Sequence, residues 1–474
     1  MNKYLYIILA AISMFVATSC IEDGFTTSSN DVLAFSCDTV AFDTVITTQG
    51  TTTKQFVVYN NSKKQVKISS IKVSGVSDAK FYINVDGMKG REFHDVELRG
   101  HDSLYVFVEG FIDELKKDYP MEFTDYIEFV TNGVTQKVTL NAWGQDVIRF
   151  SGDTLWNDTQ FYASRPYLIY DTLVVAPGAT LDVEAGTKLL FHKGGAIKVY
   201  GKMNAIGTMD KPITFRGDRL DKVVSDIEFE IMSGQWGGVV FGVGSYGNHW
   251  EYVDVSGSEF GVQVSSSNPA KESLYMLNCL LHNSSGSVFT VWNAGVTAFG
   301  TVFSEAADGV VYLYGGKTHF AHCTLANYYL FKVVETPLIN VFNIDDPNCP
   351  PIKADINNCI FYGLTSDINA GDLTGTDIYL RNCLLKSKGT DDANFINIVW
   401  DSDPKFYTER DKYLFDYRVK DESAAIARGD KALVPDKARY DRYGNDRLAE
   451  SAPTIGAYVY IPQPAESIIS RRLK

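Results

Sequence analysis

The feature that most constrains this chain is a triplet returning at near-regular spacing. Val253-Asp254-Val255, Cys279-Leu280-Leu281, Thr301-Val302-Phe303, Cys323-Thr324-Leu325, Cys359-Ile360-Phe361 and Cys383-Leu384-Leu385 follow one another. From 279 to 301 is 22 residues and from 301 to 323 is 22 again; 253 to 279 is 26 and 359 to 383 is 24. The step of 36 from 323 to 359 fits one coil plus a loop around Asp345 to Pro351. Asn278, Asn358 and Asn382 precede three triplets, and Gly300 and His322 precede two others. Asn and Gly tolerate the left-handed backbone of a tight corner, and stacked Asn side chains can bond to one another. Residues 168–217 show the same grammar, very short strands each ended by Gly or Pro-Gly. Such a repeat builds its core by stacking coil on coil. The expected architecture over residues 148–400 is a right-handed parallel β-helix. About ten coils at roughly 4.8 Å each make a rod roughly 50 Å long.

Val253, Val255, Leu281, Phe303, Leu325, Phe361 and Leu385 are expected to point inward. Cys279, Cys323, Cys359 and Cys383 then share one inward column, where free Cys behaves as a small hydrophobe. A metal site does not fit, because the column has no closing His or carboxylate at ligand spacing. No cofactor is expected. Neighbouring coils lie within disulfide reach, and Cys359 with Cys383 is the pair that could oxidise. Cys37 and Cys349 remain unassigned.

The start of the chain carries an address. Lys3 precedes a nearly unbroken apolar run from Tyr4 to Val16, too short for a comfortable membrane span. Ala17-Thr18-Ser19 then leads to Cys20. This resembles a bacterial lipobox of the looser Bacteroidetes kind, with Ala17 where Leu is usual. The resemblance implies a signal peptide at 1–19, lipidation of Cys20, and a bacterial outer-membrane lipoprotein of the cell envelope, periplasmic or surface-exposed. The membrane partner would be reached through that lipid alone. Residues 20–31 are polar and suit a flexible tether. Glu22 and Asp23 resemble a Bacteroidetes surface-export signal.

Residues 32–147 alternate at spacings that suggest a β-sandwich. The strand segments are Phe56-Val57-Val58-Tyr59, Val66-Lys67-Ile68, Ile71-Lys72-Val73, Phe81-Tyr82-Ile83, Leu104 to Val108, Tyr126 to Val130 and Val138-Thr139-Leu140. Helical periodicity shows only near Asp113 to Lys117. Val58 to Ser62, Ser103 to Val108 and Leu140 to Asp146 resemble the bacterial relatives of Hydin-type immunoglobulin-like domains. That implies a spacer or binding module.

The β-helix region resembles the pectate-lyase-like superfamily, closest to its non-enzymatic surface members related to chlamydial polymorphic outer-membrane repeats. The residues that carry this are Val175 to Leu181, Glu184 to Thr187, Gly201 to Thr208, Pro212 to Phe215 and Gln235 to Val239. Residues 401–474 resemble the segment that closes many such proteins, through Asp403 to Phe406, Asp416 to Val419, Ser423 to Asp430, Asp441 to Arg447 and Ile455 to Tyr458. The expectation is a C-terminal cap over the last coil, whose strand edges and core would otherwise be bare. Arg428-Gly429-Asp430 falls inside this segment and is read as structural. Arg471, Arg472 and Lys474 suit a solvated tail.

Charge narrows the partners. The 474 residues hold 44 Lys+Arg against 58 Asp+Glu, a net charge of −14. Loss of residues 1–19 removes one Lys, leaving 43 against 58, or −15. That balance argues against nucleic acid, which is bound by clustered cations, and against polyanionic glycans. The paired-Asp and Gly-His-Gly signatures of polygalacturonase-like hydrolases are missing. Asp345-Asp346 and Asp391-Asp392 sit in loops, and His319 and His322 straddle a corner. No catalytic residue is assigned. Trp236, Trp250 and Trp292 could offer platforms for sugar rings; packing roles suit them equally. Two readings stay open. One is a non-catalytic binding or structural rod, with a glycan or another envelope protein as partner. The other is a polysaccharide lyase or glycoside hydrolase acting on a neutral or weakly charged glycan.

Overall fold

The computed structural model describes residues 24–224, 227–346 and 349–462. The expected signal peptide, Cys20 and the basic tail lie outside the described residues. The chain divides between Asp146 and Val147 into two compact units.

The first unit is a sandwich of two five-stranded sheets. One contains Ala34–Phe35, Lys54–Tyr59, Ser103–Phe111, Lys80–Val85 and Met88–Gly90, in that spatial order. The other contains Thr39–Ile46, Val134–Gln145, Met121–Thr131, Val66–Val73 and Glu92–Leu98. Alternate residues such as Phe56, Val58, Val106, Val108, Ile127 and Phe129 fill the space between them. The segments 66–68 and 71–73 form one strand. Its register shifts between Ile68 and Ser70 against the neighbouring strand. That irregularity turns Val66, Ile68, Ile71 and Val73 all inward despite their odd spacing. Thr39–Ile46 and the edge strand Glu92–Leu98 have no counterpart in the sequence pattern; the latter turns Phe93, Val96 and Leu98 to the core and Glu92, His94, Asp95 and Glu97 to solvent, as edges often do. Asp113 to Lys117 is not helical. It is extended chain whose Leu115 and Lys117 amides donate to the buried Asp146 carboxylate, each at 3.0 Å.

The second unit is a parallel β-helix with three sheets. Sheet 1 has ten strands, from Ile148–Phe150 to Leu384–Leu385. Sheet 2 has nine, from Thr154–Leu155 to Ile368–Asn369, and sheet 3 has ten, from Thr159–Phe161 to Phe395–Ile396. The triplets align in sheet 1 as their spacing predicts: Val255 with Leu281, Leu281 with Phe303, Phe303 with Leu325, Leu325 with Phe361, Phe361 with Leu385. All are buried, as are the four column cysteines.

The corner residues Tyr252, Asn278, Gly300, His322, Asn358 and Asn382 all have φ between 50° and 58°. The Asn side chains form no continuous ladder. Asn358 Nδ2 lies 3.1 Å from His322 Nε2, whereas Asn278 donates to Tyr252 Oη (3.2 Å) and Asn382 to the Arg428 carbonyl (3.3 Å). Gly300 has no Cβ because one would lie 2.3 Å from Asn278 Oδ1.

No disulfide joins Cys359 and Cys383; both are free thiols bonded to backbone carbonyls. Burial pushes the Cys279 thiol up to about 12.

The closing segment does more than end the rod. Loop residues Ile398 and Trp400 pack on the core near the last coil. Residues beyond them run back along the outer face of sheet 1. Phe406, Phe415, Tyr417, Val419, Ile455 and Tyr458 cover Val302, Ala326, Ile360 and Leu384. This strap reaches as far as Asp254, which pairs with Arg442 at 2.8 Å.

Thiol accessibility tests this packing. Cys279, Cys323, Cys359 and Cys383 should resist a maleimide in the native protein and react only on unfolding, while half-buried Cys37 and Cys349 react first. Labelling counted by mass spectrometry across a urea series reads the order.

Candidate functional site

Each sheet presents one outer face, and the three faces differ. Sheet 1 lies under the strap from Asp254 onward. Its polar ties are buried. Arg447 is 1% exposed and donates to the carbonyls of Ala438 (3.0 Å), Gly456 (3.2 Å) and Ala457 (2.6 Å). His322 lies 3.4 Å from the same guanidinium, and burial holds its imidazole well below the usual range. Tyr417 donates to Glu305, whose carboxyl burial pushes up to about 7. Burial pushes Asp254 to about 6 against the pull of Arg442. Near it, Arg216 pairs with Glu230 at 2.8 Å and Ser256 donates to Glu230 at 2.7 Å. Tyr417 and Arg442 thus tie the strap to the sheet through Glu305 and Asp254.

Sheet 3 carries an edge-to-face column of His249, Tyr275, Phe299 and His319, with ring centroids 4.8, 5.8 and 5.0 Å apart. His249 Nε2 lies 2.7 Å from Glu251, and the strap's Lys437 sits 5.0 Å from the Tyr275 ring centre. Ala438 packs into the same cluster.

Sheet 2 carries rings to solvent. Its parallel register places Ser265, Trp292, Tyr314 and Phe342 in one outward column. Trp292 is 49% exposed and Phe342 37%. Trp292 and Tyr314 centroids lie 4.8 Å apart, Tyr314 and Phe342 5.3 Å, and the planes are tilted by only 34° and 20°. The three rings therefore cover one another's faces. On the other side of Trp292 the column continues with Ser265, and Gly242 follows a rung further on. Tyr200 folds over Gly242, where a Cβ would lie 2.6 Å from its ring. The Trp292 face toward Ser265 thus opens on one small residue, with Tyr200 closing the column over Gly242 beyond it, and the column forms an aromatic shelf.

Beside the shelf runs a second outward column, Gln263, Thr290, Tyr312, Asn340 and Asn369. Asn369 donates to Asn340 (3.4 Å), and Asn340 to the Pro337 carbonyl (2.9 Å). Thr336 donates to Asp308 at 2.7 Å. Burial and the neighbouring Asp308 carboxylate push the Tyr312 phenol up to about 12. The two columns offer rings, amides and hydroxyls, and neither contains a carboxylate.

Of the tryptophans singled out from sequence, Trp292 alone can meet a ligand. Trp236 and Trp250 are both 0% exposed and are not platforms. Trp236 stacks on Phe191 at 3.9 Å and donates to the Ser256 carbonyl. Trp250 is wedged edge-on between Phe215 and Phe241. The alternation His249-Trp250-Glu251 already implies the inward direction for Trp250. The partners of Trp292 escaped notice because Tyr314 and Phe342 meet it only once the coil register is known.

The carboxylates of Asp391 and Asp392 are committed to structure. Asp391 accepts from the Asn397 amide (2.7 Å), the Ile398 amide (3.2 Å) and Trp400 Nε1 (3.0 Å). Asp392 accepts from the Asn394 and Phe395 amides, both at 2.8 Å. Among the described residues no group of three or more His, Cys, Asp or Glu is placed to hold a metal ion.

No protein-family model matches the chain. No curated protein matches it either. Among solved structures, the catalytic unit of a thermostable α-1,3-glucanase from Streptomyces thermodiastaticus is similar over 73% of this chain and 72% of its own, at 10% identity and a TM-score of 0.25. A protein of unknown function from Porphyromonas gingivalis is similar over 26% of this chain and 59% of its own, at 10% identity and a TM-score of 0.18. A family 123 glycoside hydrolase from Clostridium perfringens is similar over 24% of this chain and 26% of its own, at 9% identity and a TM-score of 0.16. Likenesses this loose carry no argument about activity. What the coordinates define is a parallel β-helix joined in sequence to a β-sandwich.

The strap clasp gives a pH dependence. The Glu305 carboxyl rises from an ordinary 4.5 to about 7, so the folded state holds its proton where the unfolded state releases it. Stability is fully present below the unfolded value and falls as pH climbs from about 4.5 to about 7, by about 3 kcal/mol. Asp254 adds a fall of the same sign up to about pH 6. Urea midpoints of Glu305→Gln should flatten most of this slope and exceed the parent's at pH 8.

Proposed function

We propose that this protein is a lipid-anchored bacterial envelope protein whose β-helix binds a neutral or weakly charged glycan without cleaving it. The single observation that carries the reading is Trp292. It is large, half exposed and apolar, and it ends a ring stack whose outer face opens over Ser265. An aromatic face suits the C–H faces of a sugar, and the adjoining amides and hydroxyls suit its hydroxyl groups. The glycan would lie along the shelf, stacked at Trp292 and hydrogen-bonded by Gln263, Thr290 and Asn340. Three things support binding over turnover. The Asp308 carboxylate beside Tyr312 already accepts from Thr336, which leaves it poorly placed for acid–base work. The Asp391 and Asp392 side chains are occupied by loop amides. The mature charge of −15 disfavours an anionic polymer. In this reading the lipid on Cys20 ties the protein to the outer membrane, and the sandwich follows the anchor in sequence.

Trp292→Ala should weaken binding to its glycan at least tenfold, about 1.4 kcal/mol, in calorimetry against a panel of neutral polysaccharides. Thermal stability should change by under about 1 kcal/mol, because the side chain is solvent-facing. Steady release of reducing or unsaturated ends from any of the panel would overturn the non-catalytic reading. The anchor has a separate test: Cys20→Ala should move the protein from the membrane fraction to the soluble one.

A further inference from the structure

The sandwich holds a second candidate. On the sheet that contains Ser103–Phe111, the outer face is aromatic where a plain spacer would be polar. Tyr105 is 52% exposed, and Tyr82 and Phe107 38% each. Strand pairing sets Tyr82 opposite Glu109, Asn84 opposite Phe107 and Lys80 opposite Phe111. Two adjoining hollows open here, of about 420 and 310 Å³. They share Tyr82, Lys89 and Glu109 as a common wall. Phe111 and Lys80 line the first, and Phe107 and Asn84 the second.

The polar groups are arranged in balanced pairs. Lys89 bonds to Glu109, and Thr53 donates to the same carboxylate at 3.0 Å. Lys80 pairs with Asp113 at 2.6 Å. Lys89 also lies 5.7 Å from the Tyr82 ring centre, and Lys80 lies 5.6 Å from that of Phe111. The Lys89–Glu109 bond holds that carboxyl below its usual range. The hollows therefore offer charged donors and acceptors beside aromatic rings, with no net charge to attract an ion. Hydroxyl groups, which both give and accept hydrogen bonds, match such pairs, and ring C–H faces match Tyr82 and Phe107.

We propose that this face of the sandwich is a second binding site for a neutral glycan, one short oligosaccharide lying across the two hollows against Tyr82. The inference shares only the class of ligand with the Trp292 reading, because the two sites belong to separate units and use different residues.

Calorimetry with neutral tetraoses of glucose, mannose and xylose, on the full chain carrying Cys20→Ala, separates them. The expected result is two molecules bound per chain, falling to one in Trp292→Ala, to one in Tyr82→Ala and to none in the double variant. Glu109→Gln keeps the side-chain shape and should weaken the sandwich site at least tenfold, which guards against a folding defect in Tyr82→Ala. One bound tetraose abolished by Trp292→Ala and untouched by Tyr82→Ala and Glu109→Gln overturns this inference and leaves the β-helix reading standing. The reverse pattern overturns the β-helix reading and keeps this one. No binding of any tetraose overturns both. A protein that occupies the hollows with no tetraose competing for them overturns this inference as well.

Discussion

In six successive coils of the second unit one left-handed residue governs where the side chains point. Between sheet 3 and sheet 1 the chain turns on Tyr252, Asn278, Gly300, His322, Asn358 or Asn382, each at φ between 50° and 58°. The turn is so tight that the residue after it faces the core, and the next faces out. A shift of one residue would exchange the two faces along the following strand. It would carry Leu281, Phe303 and Phe361 into solvent and Leu280, Val302 and Ile360 into the core. Corners of constant shape keep successive coils in register, so apolar side chains stack in columns. Non-Gly residues in this conformation are strained by roughly 1 kcal/mol or more each. They persist because a buried column depends on every one.

The same register decides what the strap must do. The outward positions of sheet 1 are Leu280, Val302, Ile360 and Leu384, apolar residues that would otherwise lie in water. Apolar residues on both faces of a strand mean that the sheet is sandwiched. The strap supplies the second layer and ties it down with buried arginines. A Cβ at Gly300 would lie 3.3 Å from the Arg447 guanidinium, a tight approach that the glycine avoids. Gly300 thus answers two demands at once, the corner geometry and the space beneath the strap.

Legibility in the sequence divides along the same line. Whatever repeats was readable: the triplets, the corners, the inward column and the count of coils. What depends on one distant contact was not. The strap's path is set by pairs such as Arg442 with Asp254, 188 residues apart, which no local pattern encodes. The register shift near Ser70 made one strand read as two. Trp236 and Trp250 look like Trp292 in a composition count, yet pleat direction buries two and exposes one. Cys359 and Cys383 stand on adjacent coils as the spacing implied, and their thiols nevertheless bond to carbonyls.

The aromatic shelf gains meaning from what surrounds it. Sheet 1 is covered by the strap from Asp254 onward, and the strap's Lys437 and Ala438 lie over part of sheet 3. Folding alone needs no ring at the outward positions of sheet 2, where Thr290, Gln263 and Asn340 serve neighbouring places without difficulty. A parallel register aligns like with like, so three rings on successive coils make a single apolar strip. Such a strip costs solubility and gives nothing back to the core. Tyr314 is covered by a ring on each side, so the stack can be approached at its Trp292 end, on the face toward Ser265. Ser265 leaves that face open, whereas one rung further on Tyr200 closes over Gly242.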